Sequence, residues 1–234
     1  MTIAIMQPYI FPYIGYFQLM NAVDTFVFYD DVGFIKQGWI NRNNLLLNKQ
    51  KHPFTIPVQN ISSFTPIKNT LIAEKPIHWQ TKLSATFRQA YQKAPYFDAV
   101  FPIVDDILRG CLNKSVGDVA IDSIKRVLQY IDLEKNLTSS YGRYDNTHLR
   151  LGERVVDICR KENATTYINA IGGQSLYTKE YFSEQALQLY FLKPILRTYT
   201  QNTSTFIQGL SIVDVLMHND PATVKDMLSD YTLI

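Results

Sequence analysis

Cysteine, clustered histidine and blocks of like charge are all scarce in this 234-residue chain, and each scarcity closes off a class of function. The two cysteines, Cys111 and Cys159, each fall inside an apolar helical pattern, which argues against a disulfide framework and reads both as small buried hydrophobes. The four histidines, His52, His78, His148 and His218, are scattered without ligand spacing, so no metal centre is expected. Lys and Arg number 23 against 21 Asp and Glu, a formal net charge of +2, and no run of about five or six like charges makes a basic arm. Nucleic acid is therefore not an expected partner. No stretch of about 18 uninterrupted apolar residues occurs, and the N-terminus lacks the basic flank and apolar core of a signal peptide. Membrane insertion is not expected, and the default location is cytoplasmic. The spacings G-x-x-x-x-G-K-[ST], G-x-G-x-x-G and G-x-S-x-G are missing as well. The sequence thus names no cofactor and no serine nucleophile.

What the chain does have is 46% hydrophobic residues, enough to bury the core of one large domain, and a dense polar run between Ile3 and Asn43. Ile3 to Met6 reads as a strand that runs straight into Gln7-Pro8-Tyr9. Gly15 to Val23 suits a short helix, and Thr25 to Tyr29 a second strand that runs into Asp30-Asp31. A strand, helix and strand in that order favour a right-handed crossover and a parallel pair. Lys51 to Val58 alternates enough for a third strand, with Pro53 and Pro57 suited to an edge. From His78 the period becomes helical, with helices expected from Trp79 to Ala94, over 101–112 and over 117–131. No strand is expected in this middle block. A polar link at 143–147 leads to a helix over 148–162. Strands follow at 165–170 and 187–192, flanking a loop and short helix. Ser211 with Asp214 resembles a capping box, and Asp220-Pro221 an N-cap with proline at the first helical position. The expectation is one α/β domain over 1–234, Rossmann-like, with a mainly parallel sheet flanked by helices and a helical insert at about 78–145.

Open α/β sheets bind ligands beyond the carboxyl ends of their strands, so the polar residues there are the candidate site. Gln7, Pro8, Tyr9 and Tyr13 form a stiffened loop with directional donors and acceptors. Gly15 and Tyr16 open the first helix, where free N–H groups can meet a phosphate. Asp30 and Asp31 can orient an amine or take its proton. Lys36, Trp39, Asn41, Arg42 and Asn43 combine cations, an indole and amides, a set suited to an anionic, ring-containing ligand. Gly172, Gly173, Gln174 and Tyr177 follow a later strand, where bare backbone amides can cradle an anion. Each group also has a structural reading, as a packed turn or a solvated loop.

The segments QPYIFPYIGYF, DTFVFYDDV, KQGWINRN, KAPYF, TTYINAIGGQSLY and GLSIVDVL, in that order, resemble the WbqC-like protein family. The resemblance implies a setting among genes for bacterial O-antigen and related surface polysaccharides, where amino sugars on nucleotide carriers are modified. It supplies no catalytic residues. A more distant similarity is to nucleotidylyltransferases and pantothenate synthetase-like ligases. Tyr13-Ile14-Gly15-Tyr16 stands here where those enzymes have His-x-Gly-His, which removes the imidazoles that adenylyl chemistry uses.

The expected activity is amide formation, by acyl or aminoacyl transfer such as glycyl transfer, on the amino group of a nucleotide-linked amino sugar. Asp30, Asp31 and Tyr9 would serve catalysis. Lys36 and Arg42 would hold the diphosphate, Trp39 would stack, and Gln7 with the 172–174 backbone would orient the substrates. A glycan or sugar-nucleotide binding protein and an ATP-dependent carboxylate–amine ligase are the alternatives.

Overall fold

The structure, a computed structural model, describes residues 1–234. The opening run forms β1 (Thr2–Met6), α1 (Ile14–Asn21) and β2 (Thr25–Phe28), and the two strands pair in parallel from Ile3 beside Thr25 to Met6 beside Phe28. After them come α2 (Trp79–Tyr91), α3 (Phe97–Arg109), α4 (Val116–Tyr130) and β5 (Asn136–Ser139). The last third supplies α5 (Leu151–Lys161), β6 (Thr166–Ala170), α6 (Lys179–Glu184), β7 (Gln188–Pro194), α7 (Ile212–His218), α8 (Pro221–Met227) and β8 (Tyr231–Leu233). The sheet order is β5-β2-β1-β6-β7-β8, parallel except for β8, which returns antiparallel along β7. This is a Rossmann-like α/β sheet with helices on both faces.

Strand alternation explains the layers. Ala4, Phe26, Phe28, Ile168 and Leu192 face one core, packed with α1 to α4, α7 and α8. Their neighbours Ile3, Ile5, Val27, Tyr167, Leu189 and Phe191 face a smaller core built from α5 and α6. A strand buried on both faces needs apolar residues throughout, which is why IAIM and TFVF read as continuous runs. Each such side chain contributes about 1.5–3 kcal/mol on full burial. Both cysteines are buried, and burial lifts the Cys111 thiol to about 11 and the Cys159 thiol to about 12.

Two expectations are corrected and one is given its place. The middle block carries a strand after all: β5 pairs in parallel with β2, from Asn136 beside Thr25 to Ser139 beside Phe28, and forms one edge of the main sheet. The strand expected at 51–58 is β4 (Gln50–Thr55), and it lies outside that sheet, paired antiparallel with β3 (Arg42–Leu47). Asn48 and Lys49 turn this hairpin with positive φ at both residues, as a type I′ turn requires. Pro53 is tolerated because β4 is an edge strand. At the start of α7, Ser211 does cap, accepting from the Val213 N–H at 3.3 Å. Asp214 does not complete a capping box, because its carboxylate accepts from Tyr199 at 2.6 Å and Gln201 at 2.8 Å. Asp220 caps α8 as expected, accepting from the Thr223 N–H at 2.9 Å.

One feature of the register positions the site. Pairing between β1 and β6 covers only Thr2 beside Thr166 and Ile3 beside Tyr167, although both strands run on toward Met6 and Ala170. Their carboxyl ends are left unpaired with each other.

Candidate functional site

From β1 the chain turns to one side to build β2, and it later places β6 on the other side, so β1 and β6 flank the switch point of the sheet. A cavity of about 380 Å³ opens there. Met6, Gln7 and Tyr9 approach it from the end of β1, Tyr29 from the end of β2, and Tyr167, Asn169 and Ala170 from β6. Gly172, Gly173, Leu176, Tyr177 and the aliphatic residues Ile5 and Ile35 complete it. No charged side chain lines this cavity.

Local chemistry fixes its walls. The Tyr16 hydroxyl donates to the Gln7 carbonyl at 3.0 Å and holds the loop after β1. Asn43 Nδ2 donates to the Phe11 carbonyl at 2.7 Å, steadying a turn in which Phe11 has φ of 40°. On the opposite wall, the Asn169 side-chain oxygen accepts from the Ala170 N–H at 2.8 Å. A Cβ at Gly173 would stand 2.1 Å from Asn169 Nδ2, so only glycine leaves that amide its place. Burial raises the tyrosines that line the site. Tyr9 is raised by burial and then by Tyr13, Tyr177 by burial, and Tyr29 to about 12, chiefly by burial. At neutral pH all three keep their protons and can donate.

A second cavity of about 270 Å³ adjoins the first, with Tyr9 lining both. Its other walls are Pro12, Tyr13, Trp39, Asn43 and Gly209. Gly15 serves Tyr13 here, since a Cβ on Gly15 would come within 2.4 Å of the tyrosine ring. The structure therefore brings together Gln7, Tyr9, Gly172, Gly173 and Tyr177 in one cavity, and Tyr9, Tyr13, Trp39 and Asn43 in the next. Pro8 is buried beside them.

The remaining candidates are engaged elsewhere. Asp30 is fully buried and accepts from Ser139 Oγ at 2.6 Å, Ser140 Oγ at 3.3 Å and the Tyr141 N–H at 3.0 Å. Asp31 accepts from Ser140 Oγ at 2.5 Å and pairs with Arg154 at 2.5 Å, with both side chains almost wholly buried. Arg154, in α5, also donates from Nε to Asn146 Oδ1 at 3.0 Å, and its guanidinium carbon lies 4.8 Å from the Tyr29 ring centroid. Arg42 donates from Nε to the Gly38 carbonyl at 2.7 Å and from Nη2 to the Gln37 carbonyl. Asn41 donates to the Ile56 carbonyl at 2.8 Å. Lys36 and Gln174 are exposed and line neither cavity.

Sequence reasoning missed Asn169, Tyr29, Arg154 and Gly209. Asn169 had a signal: it is the one amide inside the apolar strand TTYINA, at the end that faces ligands. Tyr29 had the same signal at the end of β2. Arg154 and Gly209 had none, because a helix and a long loop bring them in from far along the chain.

The model of the WbqC-like protein family matches residues 7–226. Among curated proteins, the uncharacterized protein Rv1507c of Mycobacterium tuberculosis is 27% identical over 221 residues, covering 92% of this chain and 93% of that one. No solved structure matches the chain.

Proposed function

We propose, starting from the fact that the chain belongs to the WbqC-like protein family, that it is an enzyme of O-antigen or surface-polysaccharide biosynthesis that forms an amide on a nucleotide-linked amino sugar. The observation that carries this reading is the switch-point cavity, where the amides of Gln7 and Asn169 and the rings and hydroxyls of Tyr9, Tyr29, Tyr167 and Tyr177 stand among aliphatic side chains without one charged group. A sugar presents hydroxyls in fixed directions over an apolar ring face, and such walls complement it.

In the reaction, the neutral sugar amine attacks the carbonyl of an activated acyl or aminoacyl donor, such as a thioester. The C–N bond forms, the bond to the leaving group breaks, and the amine proton departs with that group. Gln7 and Asn169 orient the sugar, and the backbone at Gly172 and Gly173 closes over it. Burial keeps the Tyr9 hydroxyl protonated, so it serves as a donor to the oxygen that gains negative charge in the tetrahedral intermediate. Asp30 and Asp31, expected from sequence to take the amine's proton, instead hold the frame through their serine and arginine partners.

The test is to incubate the purified protein with nucleotide-linked amino sugars and acyl donors and to follow mass. A mass increase matching one acyl group on one sugar is the expected result; unchanged mass across the whole panel contradicts the enzyme reading. One observation favours a second reading, recognition without chemistry: the tyrosines of the cavity are all raised, and no carboxylate, imidazole or amine lines it. Tight binding of a sugar nucleotide without turnover would identify that case.

A further inference from the structure

We propose that the Trp39 cavity takes the nucleobase of a two-part ligand whose sugar lies in the switch-point cavity, with Lys36 meeting the diphosphate between them. This rests on the proposed function and assigns each part of its substrate to a place. The two cavities are neighbours across a single side chain, Tyr9. The turn 35–39 spans both, because Ile35 lines the first and Trp39 the second. Of the two cations that sequence placed near this turn, Arg42 is committed to the Gln37 and Gly38 carbonyls. Lys36, exposed and lying between Ile35 and Trp39 in the chain, is the one left for an anion.

The lining of the second cavity points the same way. Beside the Tyr9 hydroxyl and the Asn43 amide it offers Trp39, Tyr13 and the Pro12 ring, flat surfaces suited to stacking on a planar ring. Trp39 is 49% exposed, a large apolar area with no partner over much of its face. Its position is nevertheless set beforehand. Arg42 ties down the turn and lies 5.8 Å from the indole centroid, so a stacked base would find its platform already ordered.

Trp79, the only other tryptophan, is 6% exposed and donates to the Ala73 carbonyl at 2.9 Å. Trp79→Phe thus leaves Trp39 as the sole indole reporter. That variant should show saturable fluorescence quenching on titration with at least one of UDP, dTDP, GDP and ADP, and none with pyrophosphate. By calorimetry, Trp39→Ala should weaken binding of the same nucleotide about tenfold or more. Lys36→Ala should weaken the nucleoside diphosphate more than the nucleoside. If Trp79→Phe misfolds, the difference between wild type and Trp39→Phe supplies the same signal. No saturable quenching by any of the four, or unchanged affinity in Trp39→Ala, overturns the assignment. Turnover of a nucleotide-linked amino sugar with unchanged KM in Trp39→Ala would sink this inference and leave the proposed function standing. Quenching without turnover would support the subsite and sink the enzyme reading instead.

Discussion

Beyond β2 and β5 the strands end in carboxylates, hydroxyls and a guanidinium that satisfy one another, whereas beyond β1 and β6, on the same edge of the same sheet, they end in uncharged groups around an open cavity. The first region is a lock. Asp30 and Asp31 gather Ser139, Ser140, the Tyr141 amide and Arg154, and so tie β2 to β5 and to α5. The second is a hole, left because β1 and β6 stop pairing after Ile3 and Tyr167. The charged strand ends are thus engaged with one another, and the neutral ones are left open. Charges taken out of water demand partners, and partners consume the groups that a ligand would use. Neutral amides and phenols can stay half-buried with donors and acceptors to spare.

The sharpest way to break the contrast is to damage the lock. Asp31→Asn leaves Arg154 buried without its counter-charge and should cost about 3–5 kcal/mol of stability, read from denaturant midpoints. Little change would mean that the pair is not the anchor described. Damage to the hole should act on ligand instead. Gly173→Ala drives a methyl into the space of the Asn169 amide and should lower sugar-nucleotide affinity or turnover about ten- to hundredfold, with the melting temperature moving far less than in Asp31→Asn.

Alkaline pH sharpens the comparison further. Tyr9 and Tyr29 are raised in the folded protein, Tyr29 to about 12, above the ordinary value of 10.0. Above that ordinary value the unfolded chain binds fewer protons than the folded one, so stability falls as pH rises. The Tyr29 contribution is fully present below pH 10 and is lost toward about 12, at about 1.4 kcal/mol per pH unit at most. Thermal melts between those limits should show the decline, and Tyr29→Phe should flatten it; an equal slope in that variant would refute the assignment. The smallest effect is expected at the rim. Arg42→Lys loses the fork that holds two carbonyls, so amide exchange at 35–39 should quicken while global stability changes by less than about 1 kcal/mol.

The parallel sheet was legible wherever a strand is buried on both faces, as in Ile3 to Met6 and Thr25 to Phe28, because such strands must be apolar throughout. β5 was hidden for the opposite reason: NLTS is an edge strand, three of its four residues are polar, and its character comes from pairing with β2. β3 was hidden in RNNLLL because Arg42 and Asn43, with Asn41 just before them, look like ligand groups when their partners, main-chain carbonyls at 37, 38, 56 and 11, cannot be seen. The pairing of the first loop with 172–177 could be anticipated from two polar strand ends. That Asp30 and Asp31 face inward could not, since nothing local to Tyr29-Asp30-Asp31 announces Ser140 or Arg154.

A crystal structure of the protein with a nucleotide-linked amino sugar tests the central claim most directly. Sugar density is expected between Gln7, Tyr9 and Asn169, with the Asp31–Arg154 pair intact. Sugar density against Asp30 or Asp31, with that pair broken to receive it, would contradict it.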